Sequence, residues 1–196
     1  IVPSFLLGGL SGTYVIGDQG GADYSTFTQA ASALQSQGVS GPVIFNVLSG
    51  TYQEYVTLNE ITGASATNTI SFQAGNGNAN SVIWENTSNN NSYNYVLELN
   101  GTDHVTLKHI TFKNINNSYG LKLVLAGITD SISVDSCSFL GKENAGGSAN
   151  HSSIYGSSNE AQGLKIKNST FTDGGSYAIF LYSGNSTSSP TGLEIT

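Results

Sequence analysis

The feature that most constrains this 196-residue chain is a short apolar segment that recurs at nearly regular intervals. Its copies begin at Val105, Ile132, Leu164 and Leu193. The period of about 30 residues lies in the range that indicates a solenoid or a propeller. The segments match neither the four-stranded blade of a propeller nor the leucine pattern of a leucine-rich repeat. Short strands separated by polar turns therefore predict an all-β fold, a parallel β-helix.

Stacked coils of such a fold lie about 4.8 Å apart, so equivalent residues form ladders along the solenoid. The repeat predicts two inward ladders, one of Phe112, Phe139 and Phe171 and one of Leu107, Val134 and Ile166. Outside, it predicts a row of alternating charge made of Lys108, Asp135 and Lys167. A second repeat matches residues 118–123 with residues 176–181, two coils later.

Residues near 25–37 are predicted to form a helix. Ser25 or Thr26 can cap it, and Gln29 would complete a capping box on Thr26. Phe27, Ala31 and Leu34 would face the open end of the first coil and cover it, because an exposed coil end is a sheet edge that invites pairing. We therefore divide the chain into an N-terminal cap with the first coil, residues 1–68, and β-helix coils, residues 69–196. The last coil is expected to be incomplete.

The charge balance excludes several partners. The formal net charge is −7, and six lysines are the only basic residues. No basic patch exists, which argues against nucleic acid as a partner. No apolar run approaches the length of about 18 residues that a membrane helix needs, so no membrane span is predicted. Three histidines and one cysteine show no metal-ligand spacing, so neither a metal nor another cofactor is predicted.

The opening of the chain resembles a known superfamily. Residues 23–31, residues 43–47 and the turn Gly50-Thr51-Tyr52-Gln53-Glu54 are similar to the start of pectin-lyase-like proteins, and above all of pectin methylesterases. This resemblance implies a right-handed parallel β-helix solenoid with a short N-terminal capping helix. Residues 10–17 also resemble the opening of β-helix modules in secreted cell-surface proteins of Bacteroidetes, which the type IX machinery exports. The resemblance therefore implies a secreted or cell-surface location and the secretion machinery as a partner.

An esterase site is the first catalytic alternative. The stretch from Cys137 to residue 144 resembles a motif in which Gln and Asp serve the esterase chemistry, but here Glu143 and Asn144 stand in those places. Asn cannot donate a proton as a carboxylic acid does. The interpretation that we favour makes Cys137 a small buried residue in the same slot as Ile110 and Ser169.

Lyase and hydrolase sites are the other catalytic alternatives. A lyase needs a cationic base beside acidic calcium ligands, and Lys165 and Lys167 are the nearest cationic candidates. The interpretation that we favour is the surface charge row, in which Lys108 and Lys167 flank Asp135. A hydrolase needs two neighbouring carboxylates. Asp103 and Asp130 occupy comparable turns, where Asp is common for backbone reasons. His104 and His109 are expected on the surface, and His151 in a loop. We therefore predict no catalytic residue in this chain.

Sugar binding is one of two interpretations of a pair of aromatic residues near the C-terminus, and the other is that a loop or a neighbouring domain covers them. Phe180 and Tyr182 alternate with Ile179 and Leu181, so both aromatic side chains should point outward and could bind a glycan by stacking on its sugar rings. The prediction is a secreted or cell-surface module, a non-enzymatic adhesin or stalk, with a glycan or cell-surface polysaccharide as partner. The alternative is a polysaccharide-active lyase, hydrolase or esterase whose site lies beyond residue 196.

Overall fold

The computed structural model describes residues 8–88, 90–117, 119–143, 147–157, 161–175, 177–182 and 192–196. Their strands form three long sheets in which every neighbouring pair is parallel. Sheet 1 contains the strands Leu10–Ile16, Val39–Val47, Ile70–Ala74, Val105–Lys108, Ser133–Asp135, Lys165–Lys167 and Glu194–Ile195. Sheet 2 contains Gly50–Gln53, Val82–Glu85, Thr111–Lys113, Ser138–Leu140 and Thr170–Thr172. Sheet 3 contains Val56–Asn59, Leu97–Asn100, Leu123–Ala126, Ile154–Ser157 and Ile179–Tyr182.

Each coil visits sheets 1, 2 and 3 in turn and then returns to sheet 1, which is the topology of a parallel β-helix. A fourth, two-stranded sheet pairs Thr129–Asp130 with Ala161–Gln162, and three short 3₁₀ helices span Ala79–Ser81, Asn91–Tyr93 and Ala149–His151. The spacing of the copies in the sequence is also the strand register, since Leu107, Val134, Ile166 and Ile195 are successive partners in sheet 1. The division at residue 68 stays a prediction.

The core is built from the inward ladders. In sheet 2, the rings of Phe112 and Phe139 lie 5.3 Å apart and those of Phe139 and Phe171 lie 5.1 Å apart, all nearly parallel. The predicted phenylalanine ladder is therefore confirmed. Trp84 and Tyr52 extend it toward the N-terminus, because Tyr52 pairs with Trp84 and Trp84 pairs with Phe112. The two stacked phenylalanine pairs each contribute about 0.5–1.5 kcal/mol beyond the area that they bury.

The predicted ladder in sheet 1 is confirmed as well, with Leu107, Val134 and Ile166 buried and in register. The charge row lies on the outer face of the same strands. Asp135 is the strand partner of both Lys108 and Lys167, and the Lys108 ammonium lies 3.8 Å from the Asp135 carboxylate. Both side chains are partly exposed, so this ion pair contributes little to stability.

The N-terminal helix spans Phe27–Gln37 and buries Phe27, Ala30, Ala31 and Leu34, which include the three residues predicted to face the coils. Thr26 caps it through a hydrogen bond from the Gln29 amide. The capping-box prediction is wrong in one detail, because the Gln29 side chain accepts from the Ser25 amide rather than from Thr26. The Gln29 side-chain oxygen lies 2.8 Å from the Ser25 amide, so the second hydrogen bond of the motif is made one residue before the N-cap. Gly38 ends the helix with φ 68°.

Glu54 fastens this helix to the first coil. Its carboxylate accepts hydrogen bonds from the Phe27 and Thr28 amides, both at 2.9 Å, and from the Thr28 hydroxyl at 2.6 Å. Its backbone carbonyl accepts the indole N–H of Trp84 at 3.0 Å. A carboxylate at the positive end of a helix is stabilised by both the hydrogen bonds and the helix dipole. The Gly-x-Tyr-x-Glu turn therefore attaches the helix to the first coil.

Replacing Glu54 by alanine is expected to lower the free energy of unfolding by about 1–2 kcal/mol, because two helix amides lose their acceptor. The exposed Glu60 provides a matched control, and Glu60→Ala should change the same quantity by less than about 0.5 kcal/mol. Urea denaturation of the two variants measures the difference. Equal losses of stability in both variants would show that the hydrogen bonds of Glu54 do not stabilise the cap.

Candidate functional site

The outward face of sheet 3 is the candidate site. Residues in a strand alternate between its two faces, and here one set fills the core while the other faces away from it. The outward set forms two rows that cross successive coils. Row 1 consists of Thr57, Glu98, Val124, Tyr155 and Phe180. In row 2, Asn59, Asn100 and Ala126 are successive strand partners, and Tyr182 lies at the C-terminal end.

Aromatic side chains cover the C-terminal half of this face. The rings of Tyr155 and Phe180 are nearly parallel with centroids 5.6 Å apart, and Tyr182 continues the group at 6.4 Å from Phe180. Tyr177 meets Phe180 edge-on at 5.1 Å. Tyr177 and Tyr182 are 43% and 56% exposed. Packed rings of this kind hold one another in place and leave ring surface open to a ligand.

The predicted outward orientation of Phe180 and Tyr182 is confirmed, because Ile179 and Leu181 pack against the main core instead. Whether the two aromatic residues bind a ligand stays a prediction. Sequence analysis missed Tyr155, which stacks on Phe180 from the preceding coil. Its position could have been found from the strand partners Ile154 and Ile179, which share the same inward slot.

Hydrogen-bonding side chains cover the N-terminal half of the face. The Thr57 hydroxyl lies 2.6 Å from the Tyr95 hydroxyl and 3.0 Å from the Glu98 carboxylate. In row 2, the Asn100 amide donates to the Asn59 side chain at 2.9 Å, and Asn59 donates to Gln35 of the helix at 2.8 Å. Sequence analysis missed this half too. The shared pattern of Val56-Thr57-Leu58-Asn59 and Leu97-Glu98-Leu99-Asn100 is the signal that could have revealed it.

A small apolar cluster joins the two halves. Tyr95, Leu121 and Val124 are buried together on the outer side of sheet 3, with Ala126 and Tyr155 packed against them. Burial raises the pKa of the Tyr95 phenol above its ordinary value. Next to this cluster, the exposed rings of Tyr55 and Tyr93 stack with centroids 4.6 Å apart. The outer side of sheet 3 therefore presents aromatic and hydrogen-bonding groups over five coils.

Two polar depressions lie beside the N-terminal cap. One of about 430 Å³ is lined by Thr28, Gln53, Glu54, Tyr55, Asn86, Thr87 and Ser88. The other, of about 360 Å³, is lined by Asp18, Ser25, Thr26, Ser49, Gly50, Thr51, Tyr52, Gln53 and Glu54. Glu54 lines both, and its carboxylate oxygens already accept hydrogen bonds from the helix. Neither depression therefore offers a free carboxylate at Glu54.

The residues weighed for hydrolysis serve the backbone. An Asp103 carboxylate oxygen accepts the Asp130 amide at 2.7 Å, so the two acids are close but one of them holds the turn of the next coil. His104 and His109 have φ values of 57° and 53°, the left-handed conformation of turn residues. His151 differs from its predicted place, because it lies buried in the 3₁₀ helix Ala149–His151 rather than in an open loop.

The esterase-like stretch has a buried thiol at its start. Cys137 occupies the position in its coil that the buried Ile110 occupies in the preceding coil. Burial raises the pKa of its thiol to about 12. A thiol that stays protonated is a poor nucleophile at neutral pH. Glu143 is exposed, and Asn144 lies outside the described residues. In the part of the chain that the structure describes, no three acidic, histidine or cysteine side chains form a metal-binding group.

Comparisons with known proteins identify relatives in fold only. No family model matches the chain, and no curated protein matches it. Two solved structures of the pectin methylesterase from Aspergillus niger are similar to it. The deglycosylated form superposes with a TM-score of 0.57 at 16% identity, covering 88% of this chain and 56% of that chain. The penultimately deglycosylated form gives a TM-score of 0.60 at 16% identity, with coverages of 95% and 68%.

The chain thus spans between 56% and 68% of the length of these structures. An identity of 16% supports a shared fold but not a shared activity. Within the described ranges, no helix is both long and apolar enough to cross a membrane. The all-parallel sheets and these structural neighbours together show that the chain has the pectin-lyase-like fold, a right-handed parallel β-helix.

Proposed function

We propose that this protein is a secreted or cell-surface β-helix module that binds a non-acidic polysaccharide along the outward face of sheet 3 without cleaving it. The observation that carries the proposal is the division of this face into an aromatic half around Phe180 and a hydrogen-bonding half around Asn59 and Asn100. Sugars offer apolar ring faces and many hydroxyls, so their binding sites need both kinds of group.

The fold neighbours support the class of ligand, since a pectin methylesterase acts on a polysaccharide with the same scaffold. The absence of Arg from the whole chain argues against uronate polymers such as pectin itself, because Arg binds carboxylates in a bidentate way that Lys does not reproduce. The net charge of −7 also repels a polyanion at long range. A role as adhesin or stalk, and export by the type IX machinery, belong to the same proposal.

Phe180→Ala is expected to weaken binding of a neutral oligosaccharide about tenfold, because the ligand loses the ring at the centre of the aromatic group. Ile44→Ala removes a comparably exposed apolar side chain from the outer face of sheet 1 and should leave affinity unchanged. A glycan array on the purified protein selects the oligosaccharide, and calorimetry then compares the variants. No binding to any glycan, or equal losses in the two variants, would contradict the proposal.

The rival function is a polysaccharide-active lyase, hydrolase or esterase whose site lies beyond residue 196. It is tested by incubating the protein with pectin and polygalacturonate, with and without Ca²⁺. Methanol release, unsaturated products and new reducing ends would each reveal turnover. Turnover that Glu143→Ala leaves intact would support this rival. Turnover that Glu143→Ala abolishes would overturn the non-enzymatic proposal and restore the esterase-like stretch as a site.

A further inference from the structure

Among the described side chains of the two rows, the outward face of sheet 3 carries one formal charge, the carboxylate of Glu98. The lysines lie elsewhere. They are distributed over the outer rows of sheet 1 (Lys108, Lys165, Lys167), an ion pair with Glu85 on sheet 2 (Lys113), a buried site (Lys122) and a contact with Asn117 (Lys142). The face is therefore locally acidic on a protein that is acidic as a whole.

Hydrogen bonds hold the Glu98 carboxylate in a defined position. Thr57 has one hydroxyl proton and donates it to Glu98 Oε2 at 3.0 Å. The contact of 2.6 Å between the Thr57 and Tyr95 hydroxyls must then have Tyr95 as its donor. The relay runs from Tyr95 through Thr57 to Glu98. Among the described residues, no lysine lies within ion-pair distance of Glu98, which is partly exposed, so its negative charge is available to a cationic group of a ligand.

Glu98 and the aromatic half lie on the same row. Glu98 is followed in consecutive coils by Val124, Tyr155 and Phe180. Three steps of about 4.8 Å put the carboxylate about 14 Å from Phe180 along the solenoid. A ligand that stacks on Phe180 and also reaches Glu98 must therefore be an extended chain of several linked sugars aligned with the solenoid axis.

We infer that the preferred ligand of this face is a polysaccharide with free amino groups, whose ammonium groups pair with the carboxylate of Glu98 while its sugar rings stack on Tyr155 and Phe180. The inference rests on the proposed function and narrows its ligand. An ammonium donor forms a stronger hydrogen bond to a carboxylate than a hydroxyl does. A cationic chain is also attracted at long range by the net charge of −7.

The test compares two oligosaccharides that differ only in the amino group, a glucosamine hexamer linked β-1,4 and its fully N-acetylated counterpart. The wild-type protein is expected to bind the amine form about tenfold more tightly at low salt, and the preference should shrink as salt screens the ion pair. Glu98→Gln keeps the size of the side chain and removes its charge, so it should abolish the preference. The exposed Glu60 supplies the control, and Glu60→Gln should keep the preference.

The possible failures are distinguishable. Equal affinity of the wild type for both hexamers would overturn the inference about amino groups and leave the proposed function standing. A preference that survives in Glu98→Gln would overturn the role of Glu98. If neither hexamer nor any other glycan binds, the proposed function fails and this inference fails with it. Loss of binding of both hexamers in Phe180→Ala, with Glu98→Gln affecting the amine form alone, would support both.

Discussion

Replacing Phe139 by alanine is expected to lower the free energy of unfolding by about 3–5 kcal/mol. Phe139 is fully buried in the middle of the sheet 2 ladder, with parallel rings on both sides at 5.3 Å and 5.1 Å. The substitution removes the transfer free energy of the ring, leaves a cavity and breaks two ring pairs at once. Because a solenoid repeat contacts only its neighbours, these losses fall on the interfaces of three consecutive coils.

Phe171 provides a matched control, since it is the same residue in the same ladder one coil later but is only half-buried. Phe171→Ala should lower the free energy of unfolding by about 1–2 kcal/mol, because the half-buried ring removes less apolar area from water on folding. Urea denaturation followed by the fluorescence of Trp84, the only tryptophan, and by circular dichroism measures both losses. Equal losses in the two variants, or a surface-like loss below about 0.5 kcal/mol for Phe139→Ala, would contradict the ladder as a source of stability.

The fold was predictable from the later coils because their inward slots hold similar residues. Phe112, Phe139 and Phe171 repeat visibly, and their spacing is the strand register. The earlier coils fill the same slot with Trp84 and Tyr52, which differ enough in type that this ladder could not be followed before Phe112. The capping role of Glu54 was hidden for another reason. It depends on a carboxylate meeting amides of a helix that lies far earlier in the chain, a contact that no local pattern encodes.

The candidate site was predictable in its aromatic half only. Phe180 and Tyr182 stand out because they alternate with aliphatic residues in one strand. The hydrogen-bonding half is assembled from three coils and the helix, and Thr57, Glu98 and Asn59 look like ordinary polar residues in sequence. Reading both strands with the register of sheet 3 is what brings them to the same face.

The second repeat predicted the wrong position for Lys122. The match of residues 118–123 with residues 176–181 is wrong by two positions, because Leu123 is aligned through Ile154 with Ile179. Lys122 therefore lies at the corner before the strand rather than on the outward face. There its ammonium is fully buried and donates to the His151 carbonyl at 2.9 Å. Residues 118 and 176 themselves lie outside the described residues.

The corner explains why a lysine is held there. In the two preceding coils, Asn86 and Asn114 follow the strands of sheet 2, and each side-chain amide donates to backbone carbonyls in the loops that lead to sheet 3. The next coil has Gly141 after the corresponding strand and so lacks such a donor. The ammonium of Lys122 reaches into this place and donates to the loop carbonyl of His151 instead. A charged group thus does what an uncharged amide does in its neighbours.

Burial makes this arrangement sensitive to pH. It lowers the pKa of Lys122 from its usual 10.5 to about 8. Between these two values the unfolded chain binds a proton that the folded protein lacks, so this residue makes stability rise with pH across that range. The full gain is about 3 kcal/mol. The pKa of the neighbouring His151 is lowered from its usual 6.5 by burial and then by the charges of Lys122 and Lys142. His151 therefore changes the pH dependence of stability only in the range below pH 6.5.

Cys137 acts in the opposite direction. Its thiol pKa of about 12 means that the unfolded chain loses a proton above pH 9 that the folded protein keeps, which lowers stability there. The wild-type curve alone would therefore mix two opposing trends. A difference between the wild type and a variant at Lys122 removes this mixing, because Cys137 is present in both proteins.

Lys122→Met is the variant that isolates the buried charge. Urea denaturation measures its free energy of unfolding relative to that of the wild type. We expect this difference to fall by about 3 kcal/mol between pH 7.5 and pH 10.5, because the wild type becomes more stable as the buried Lys122 is deprotonated. Lys122→Gln keeps a neutral donor for the His151 carbonyl and should show the same slope, displaced by about 1 kcal/mol for the hydrogen bond. A difference that does not change with pH in either variant would mean that the ammonium reaches water, and the buried corner would then be wrong.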